Sequence, residues 1–328
     1  MLYVDTCAFC NLPQLTNLTL NRHLHIRLSH SLLALYGLQN QTLELVDFSY
    51  NHHGLPTILD ETNTLYLNNV CIKTLRMHLV DIGGIASGAF RSYGALSKCL
   101  KHVDLSKNSL TVASRSVFIK LSIELINIES MQLQNQRSFL LESKHDGGVG
   151  ITAEAPKFPD LVTYVNLSPN LKLLNLSAGV RDLSYLPRHI HFTHSGTLTV
   201  LDLSYCGAYD CDIAITGLTN IHTFDFSGND CHVLGARLFG HMTTLRRLRL
   251  ANVHLREEFL LANGTELLRP LVDLEELDLA DNNLHDLPSN LLRHQPRLQR
   301  LVLAGNRFQV RAISFCTLIL NEVIQVTI

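Results

Sequence analysis

The stretch "LEELDLADNNL", residues 274–284, carries a spacing that neither a helix nor a simple strand explains. Leu274, Leu277 and Leu279 are apolar, Asn282 follows three residues later, and the residues between are mostly charged or polar. The three-and-four recurrence of an amphipathic helix is missing, and "ADNN" breaks a strand alternation. The spacing recurs as "LQRLVLAGNRF" from Leu298, "LRRLRLANVHL" from Leu245, "IHTFDFSGNDC" from Ile221 and "LTVLDLSYCGA" from Leu198. Further copies read "LKLLNLSAGV" from Leu171, "IELINIESMQL" from Ile123, "LKHVDLSKNSL" from Leu100, "LYLNNV" around Leu65, "LELVDFSYN" from Leu43 and "LTNLTLNRH" from Leu15. The last five copies lie 23, 24, 29 and 24 residues apart. That matches the ~20–29-residue period of a leucine-rich repeat.

The spacing dictates the architecture. Each Leu-x-Leu is a short parallel strand whose leucines point inward and whose intervening residues point out. One coil cannot bury its own apolar side, so coils must stack. An Asn at the ninth position can bond the backbone of adjacent coils through its amide. Asn51, Asn108, Asn229, Asn282 and Asn306 fit, whereas His23, Val70, Met131, Gly179, Cys206 and Val253 replace it elsewhere. Phe9, Phe90, Phe118 and Phe239 each precede a new copy and predict an aromatic spine inside the convex half. The predicted fold is an α/β leucine-rich-repeat solenoid. It is a curved horseshoe with a parallel β-sheet on the concave face and an irregular, short-helical convex side. It covers residues 1–312 in about eleven repeats, with a loop insertion near 145–160 and a C-terminal tail at 313–328. The period is also stretched between 65 and 100.

Composition narrows the function classes. With 17% charged residues and a net charge of −2, nothing points to nucleic acid as a partner. No apolar run reaches the ~18 residues of a membrane helix. "MLYVDTCAFC" lacks a basic n-region and carries Asp5, so it does not read as a signal peptide. The chain is thus expected to be either cytosolic or a piece of a longer one. No nucleophile elbow, P-loop or Ser/His/Asp grouping is present, and "GGVG" lacks a strand–turn–helix context. Neither enzyme activity nor a cofactor is expected.

The "Phe…LxxLxxLdLSxNxL" rhythm, with "LDLSYC", "VDLSKNSL", "LEELDLADNNLHDLPSNLL", uneven repeats and a mid-chain insertion, resembles Toll-like receptor ectodomains. Matrix proteoglycans and neuronal receptors share these phrases, which leaves an adhesion or matrix protein as one alternative and a cytosolic repeat scaffold as another. The resemblance implies the extracellular part of a membrane receptor in innate immunity. It also implies a protein or pathogen-derived ligand, and a receptor dimer in the full-length protein. It further implies a signal peptide, a cysteine-bonded C-terminal cap, a membrane helix and a cytosolic TIR domain. None of these is read in this chain, which has "NRFQVRAISFC" and only Cys316 where the cap would stand.

Residue by residue, the candidates are these. The outward strand positions of successive coils align Arg246 with Glu275, Arg247 with Glu276, and Arg249 between Asp225 and Asp278, with Arg300 facing Glu276. This is either a self-cancelling charge ladder, each exposed pair worth up to ~1 kcal/mol, or a ligand surface on the concave face. Five sequons, at Asn17, Asn40, Asn166, Asn175 and Asn263, are candidate glycosylation sites. Chance alone gives about three, so the sequons do not by themselves place the chain outside a cell. Cys206 and Cys211 share a loop, and Cys231 falls in the next coil. In an oxidising compartment a disulfide can form among them; in a reducing one they are packing thiols. Cys7 and Cys10 flank Phe9 with no second pair at zinc spacing, and His189, His191 and His194 lack a ligand partner at metal spacing, so no metal site is expected.

Overall fold

A computed structural model describes residues 4–23, 26–51, 54, 56–91, 93–110, 115–136, 162–178, 188–231, 233–308 and 325–327. The outward-inward-outward strands assemble into one twelve-stranded parallel sheet in chain order. Its strands are Asn17–Thr19, Thr42–Asp47, Cys71–Arg76, His102–Asp104, Ser130–Gln132, Leu173–Asn175, Val200–Asp202, Thr223–Asp225, Arg247–Arg249, Glu276–Asp278, Arg300–Val302 and Gln325–Thr327. Each strand exists because a β-pleat alternates sides. In the first eleven strands one inward residue, from Leu18 to Leu301, is at most 5% exposed. Each such side chain contributes about 1.5–3 kcal/mol of burial, and the stacked residues form one continuous core.

Two of the eleven expected copies sit elsewhere. "LYLNNV" is not a strand. Leu65–Asn68 is a short helix on the convex side, and Val70 is an ordinary core residue. The third strand is Cys71–Arg76, in which Ile72, Leu75, Met77 and Val80 occupy the repeat positions. The apparent stretch in period between 65 and 100 disappears with this shift. The fifth copy moves five residues. Ile123 ends up on the helix Arg115–Glu124 with 58% exposure, and the frame is Ile128, Met131, Leu133 and Gln136. In both places a helix supplied leucine-like residues at strand-like spacing, and pairing with the neighbouring strand decided the frame. The twelfth strand, Gln325–Thr327, pairs with Arg300–Val302 and falls in the stretch read as a tail. Gly179, Cys316 and the 145–160 stretch lie outside the described residues, as does the side chain of Phe118.

The asparagine ladder has the predicted chemistry. Asn229 Oδ1 accepts the amides of Cys206 and Ala208 at 3.0 and 3.1 Å, while its Nδ2 donates to the carbonyls of Leu203 and Phe226 at 3.0 and 2.8 Å. Asn108, Asn282 and Asn306 repeat the pattern. Gln136 does the same in the fifth coil, accepting from Leu110 N and donating to Leu105 O and Leu133 O. The residue before this position turns left-handed in coil after coil, as at Arg22, Tyr50, Lys107, Tyr205, Asn252 and Asp281. Gly228 needs its missing Cβ there twice over. Its φ is +69°, and a Cβ would meet the Tyr205 ring at 2.2 Å.

The convex side is built of short helices such as Leu28–Leu33, Ala95–Cys99 and Thr265–Leu268. Phe90 and Phe239 are fully buried beneath it, and Phe9 packs partly against the core. A three-stranded parallel sheet of Val162–Asn166, His189–Thr193 and Ala214–Thr216 lies apart from the main sheet. Disulfides join Cys7 to Cys10, Cys71 to Cys99, and Cys211 to Cys231. Cys206 is therefore not a member of the local bond. It stands at the ladder position as a buried thiol whose Sγ lies 3.4 Å from Leu176 O. No helix among the described residues is long and apolar enough to cross a membrane.

Candidate recognition face

The concave sheet presents three columns of outward side chains. Strand pairing aligns Arg247 with Thr223 and Glu276, Arg249 with Asp225 and Asp278, and Glu276 with Arg300. The ladder read from the sequence is thus assembled. Arg249 lies 3.6 Å from Asp225, Arg246 lies 3.7 Å from Glu275, and Arg300 lies 3.9 Å from Glu276. Arg247 differs: its guanidinium reaches Thr223 Oγ1 at 3.4 Å. All these arginines are about half exposed, so each pair contributes at most ~1 kcal/mol to stability.

The aspartates have a second task that the sequence reading missed. Asp47, Asp104, Asp202, Asp225 and Asp278 each accept the amide two residues on, at 2.9–3.0 Å, and close the turn that follows the strand. Asn175 does this too, accepting both the amide and the hydroxyl of Ser177. This explains the recurrent "LDLS" phrase: a short acceptor at the outward position satisfies a turn amide. One oxygen of Asp225 and of Asp278 is committed in this way and does not face a ligand.

A second half-ladder occupies the N-terminal coils, where the two misplaced frames had hidden it. Lys73 bonds Glu44 at 2.7 Å, and Glu129 sits between Lys101 at 3.1 Å and Lys172 at 2.7 Å. The hydrogen bonds from Lys172 and then Lys101 hold the Glu129 carboxyl down at about 2. Beside it lies a depression of about 470 Å³, lined by Asp47, Arg76, His78, His102, Asp104 and Gln132 among others. His78 packs edge-on against Tyr50 and lies 3.6 Å from Asp104. Correct framing of "IKTLRMHLV" would have exposed this group in the sequence.

Of the sequon asparagines, Asn17, Asn40, Asn166 and Asn263 are exposed and Asn175 is half-buried. Asn17 and Asn175 stand on the concave sheet, Asn166 is on the separate three-stranded sheet, and Asn263 is on the convex helices. His189 and His191 share a strand of the three-stranded sheet. His191 bonds Thr216 at 2.8 Å and packs edge-on against Tyr164.

The Leucine Rich Repeat family model matches residues 273–294, the stretch that includes the ladder's acidic rung Glu275, Glu276 and Asp278. Together with the twelve-stranded solenoid, this decides the class. The fold is a leucine-rich-repeat solenoid. Among solved structures, that of the TLR13–ssRNA13 complex is similar over 98% of this chain and 44% of its own, with 18% identity and a TM-score of 0.65. The Drosophila Toll–Spätzle complex is similar over 96% of this chain and 40% of its own, with 17% identity and a TM-score of 0.51. The repeat protein therefore shares the fold of Toll-like ectodomains and spans less than half the length of these two chains. No match to the sequence was found among curated proteins.

Proposed function

We propose that this repeat protein is the ligand-recognition part of a Toll-like receptor ectodomain, working outside the cell by binding rather than by catalysis. The observation that carries the reading is a solenoid extending along nearly the whole chain and matching the TLR13 fold over 98% of it. Its concave sheet offers polar, partly exposed side chains in register, including Arg246, Arg247, Arg249, Glu275, Glu276 and Arg300. The three disulfides favour an oxidising compartment, and the exposed sequon asparagines are compatible with one. Ligand binding and dimerisation of the full-length receptor belong to this proposal.

The test is expression behind a secretory leader. Cys7, Cys10, Cys71, Cys99, Cys211 and Cys231 should resist alkylation until reduced, and glycosidase should lower the mass. Alkylation of every cysteine without prior reduction, with no mass shift, would favour a cytosolic scaffold.

A further inference from the structure

The centre of the concave sheet differs from both charge ladders. In the middle outward column, strand pairing sets Leu173 beside Val200, with Ser130 and Thr223 on either side. Both apolar side chains are partly exposed, on strands about 4.8 Å apart. In the next column Asp202 lies between Asn175 and Asp225. Asp225 has Arg249 as its cation, whereas Asp202 has no ion pair among the described residues. One oxygen of Asp202 accepts from Ser204, and its carboxyl is pushed up by partial burial and then by the charge of Asp225, against the Ser204 hydrogen bonds and the more distant charge of Arg249. An aliphatic pair bordered by a carboxylate with no direct ion pair among the described residues has the anatomy of an interface centre and its polar edge.

The same sheet is unsuited to single-stranded nucleic acid. Such ligands are held by aromatic stacking and by cations that track phosphates. None of the twelve strands carries an outward Phe, Tyr or Trp. Lys73, Lys101, Lys172, Arg246, Arg249 and Arg300 face carboxylates, which leaves Arg247, bonded to Thr223, without a row of free cations beside it.

We propose that Leu173, Val200 and Asp202 form the docking centre for a protein partner that presents an aliphatic side chain next to an arginine or lysine. This rests on the reading of the concave sheet as the recognition face. A partly desolvated carboxylate with no direct ion pair among the described residues selects a cation by charge complementarity, and the neighbouring apolar pair selects the side chain beside it.

The experiment uses the secreted chain carrying Ser177→Ala, which removes the sequon beside the site but keeps Asn175. Fluorescence anisotropy is measured at physiological salt with three labelled probes: a short peptide alternating Leu and Arg, the same design with Leu and Glu, and oligouridine RNA. The Leu–Arg peptide should bind best. Asp202→Asn should weaken it about tenfold and Val200→Thr should weaken it measurably, while Glu258→Gln on the convex side should have no effect. Both concave variants are near-isosteric, and an unchanged thermal melt verifies that they are folded. Tighter binding of the Leu–Glu peptide or RNA overturns the proposal, as does an Asp202→Asn effect no larger than that of Glu258→Gln. If Asp225→Asn and Asp278→Asn abolish peptide binding while Asp202→Asn and Val200→Thr do not, the docking centre is wrong and the concave reading survives. If no concave variant affects a bound peptide, both fail.

Discussion

Replacing Asn108 by alanine should destabilise the fourth coil far more than the lost atoms suggest. The side chain is 1% exposed. Its Oδ1 accepts from Val80 N at 3.0 Å and Ile82 N at 3.1 Å, and its Nδ2 donates to Met77 O at 2.7 Å and Leu105 O at 2.9 Å. Alanine leaves two amides and two carbonyls buried without these partners. Leu105 O keeps its bond from Gln136, so three groups go unsatisfied, and at the lower bound of about 1 kcal/mol each the cost is ~3 kcal/mol. Val253→Ala is the comparison, because Val253 occupies the same repeat position, is fully buried and makes no side-chain hydrogen bond. It should cost only about 2 kcal/mol, for two methyl groups and a small cavity. Native-state hydrogen exchange is the better assay, because a long repeat array need not unfold in one step. Protection of the Val80 and Ile82 amides should fall by about a hundredfold, at ~1.4 kcal/mol per factor of ten. If Asn108→Ala costs no more than Val253→Ala and leaves those two amides protected, the ladder does not hold the coils together.

Reversing Arg247 and Arg249 to Glu should leave the melting temperature within a few degrees, because exposed pairs contribute at most ~1 kcal/mol, but should abolish binding of a ligand that uses the C-terminal concave face. Unchanged binding to such a ligand would make the ladder structural only. The Glu129 carboxyl should titrate by NMR near 2 at low salt, and its midpoint should rise in concentrated salt as Lys101 and Lys172 are screened. Because its folded value is depressed, its contribution to stability is present above about 4.5 and is lost as pH falls towards 2; a midpoint at 4.5 in low salt would contradict the two-lysine clamp. Gly228→Ala should destabilise by about 1–3 kcal/mol, and Tyr205→Ala in the same chain should recover part of it; no recovery would leave the left-handed backbone as the sole cause.

Much of this protein is legible in its sequence because the repeat writes one constraint many times. Leu274, Leu277 and Leu279 must point inward wherever they stack, and Asn282 has only backbone to satisfy. The parallel sheet, the concave outward columns and the Arg249–Asp225 contact follow from that alone. What the sequence left open is the frame wherever two overlapping segments offer apolar residues at similar spacing. Leu65 and Ile123 look like strand residues until the neighbouring strands are present. Register is a property of the pair, and only pairing sent Leu65–Asn68 and Arg115–Glu124 to the convex side as helices. The disulfides required the fold for the same reason: Cys211 meets Cys231 because successive coils bring their Cα atoms to 5.3 Å, while Cys206 points into the ladder. Gln136 acts as a ladder residue because its longer side chain still reaches Leu105 O and Leu133 O, a distance that no spacing rule contains. The position of Asp202, beside an acid that has its own arginine, likewise exists only once the strands lie side by side.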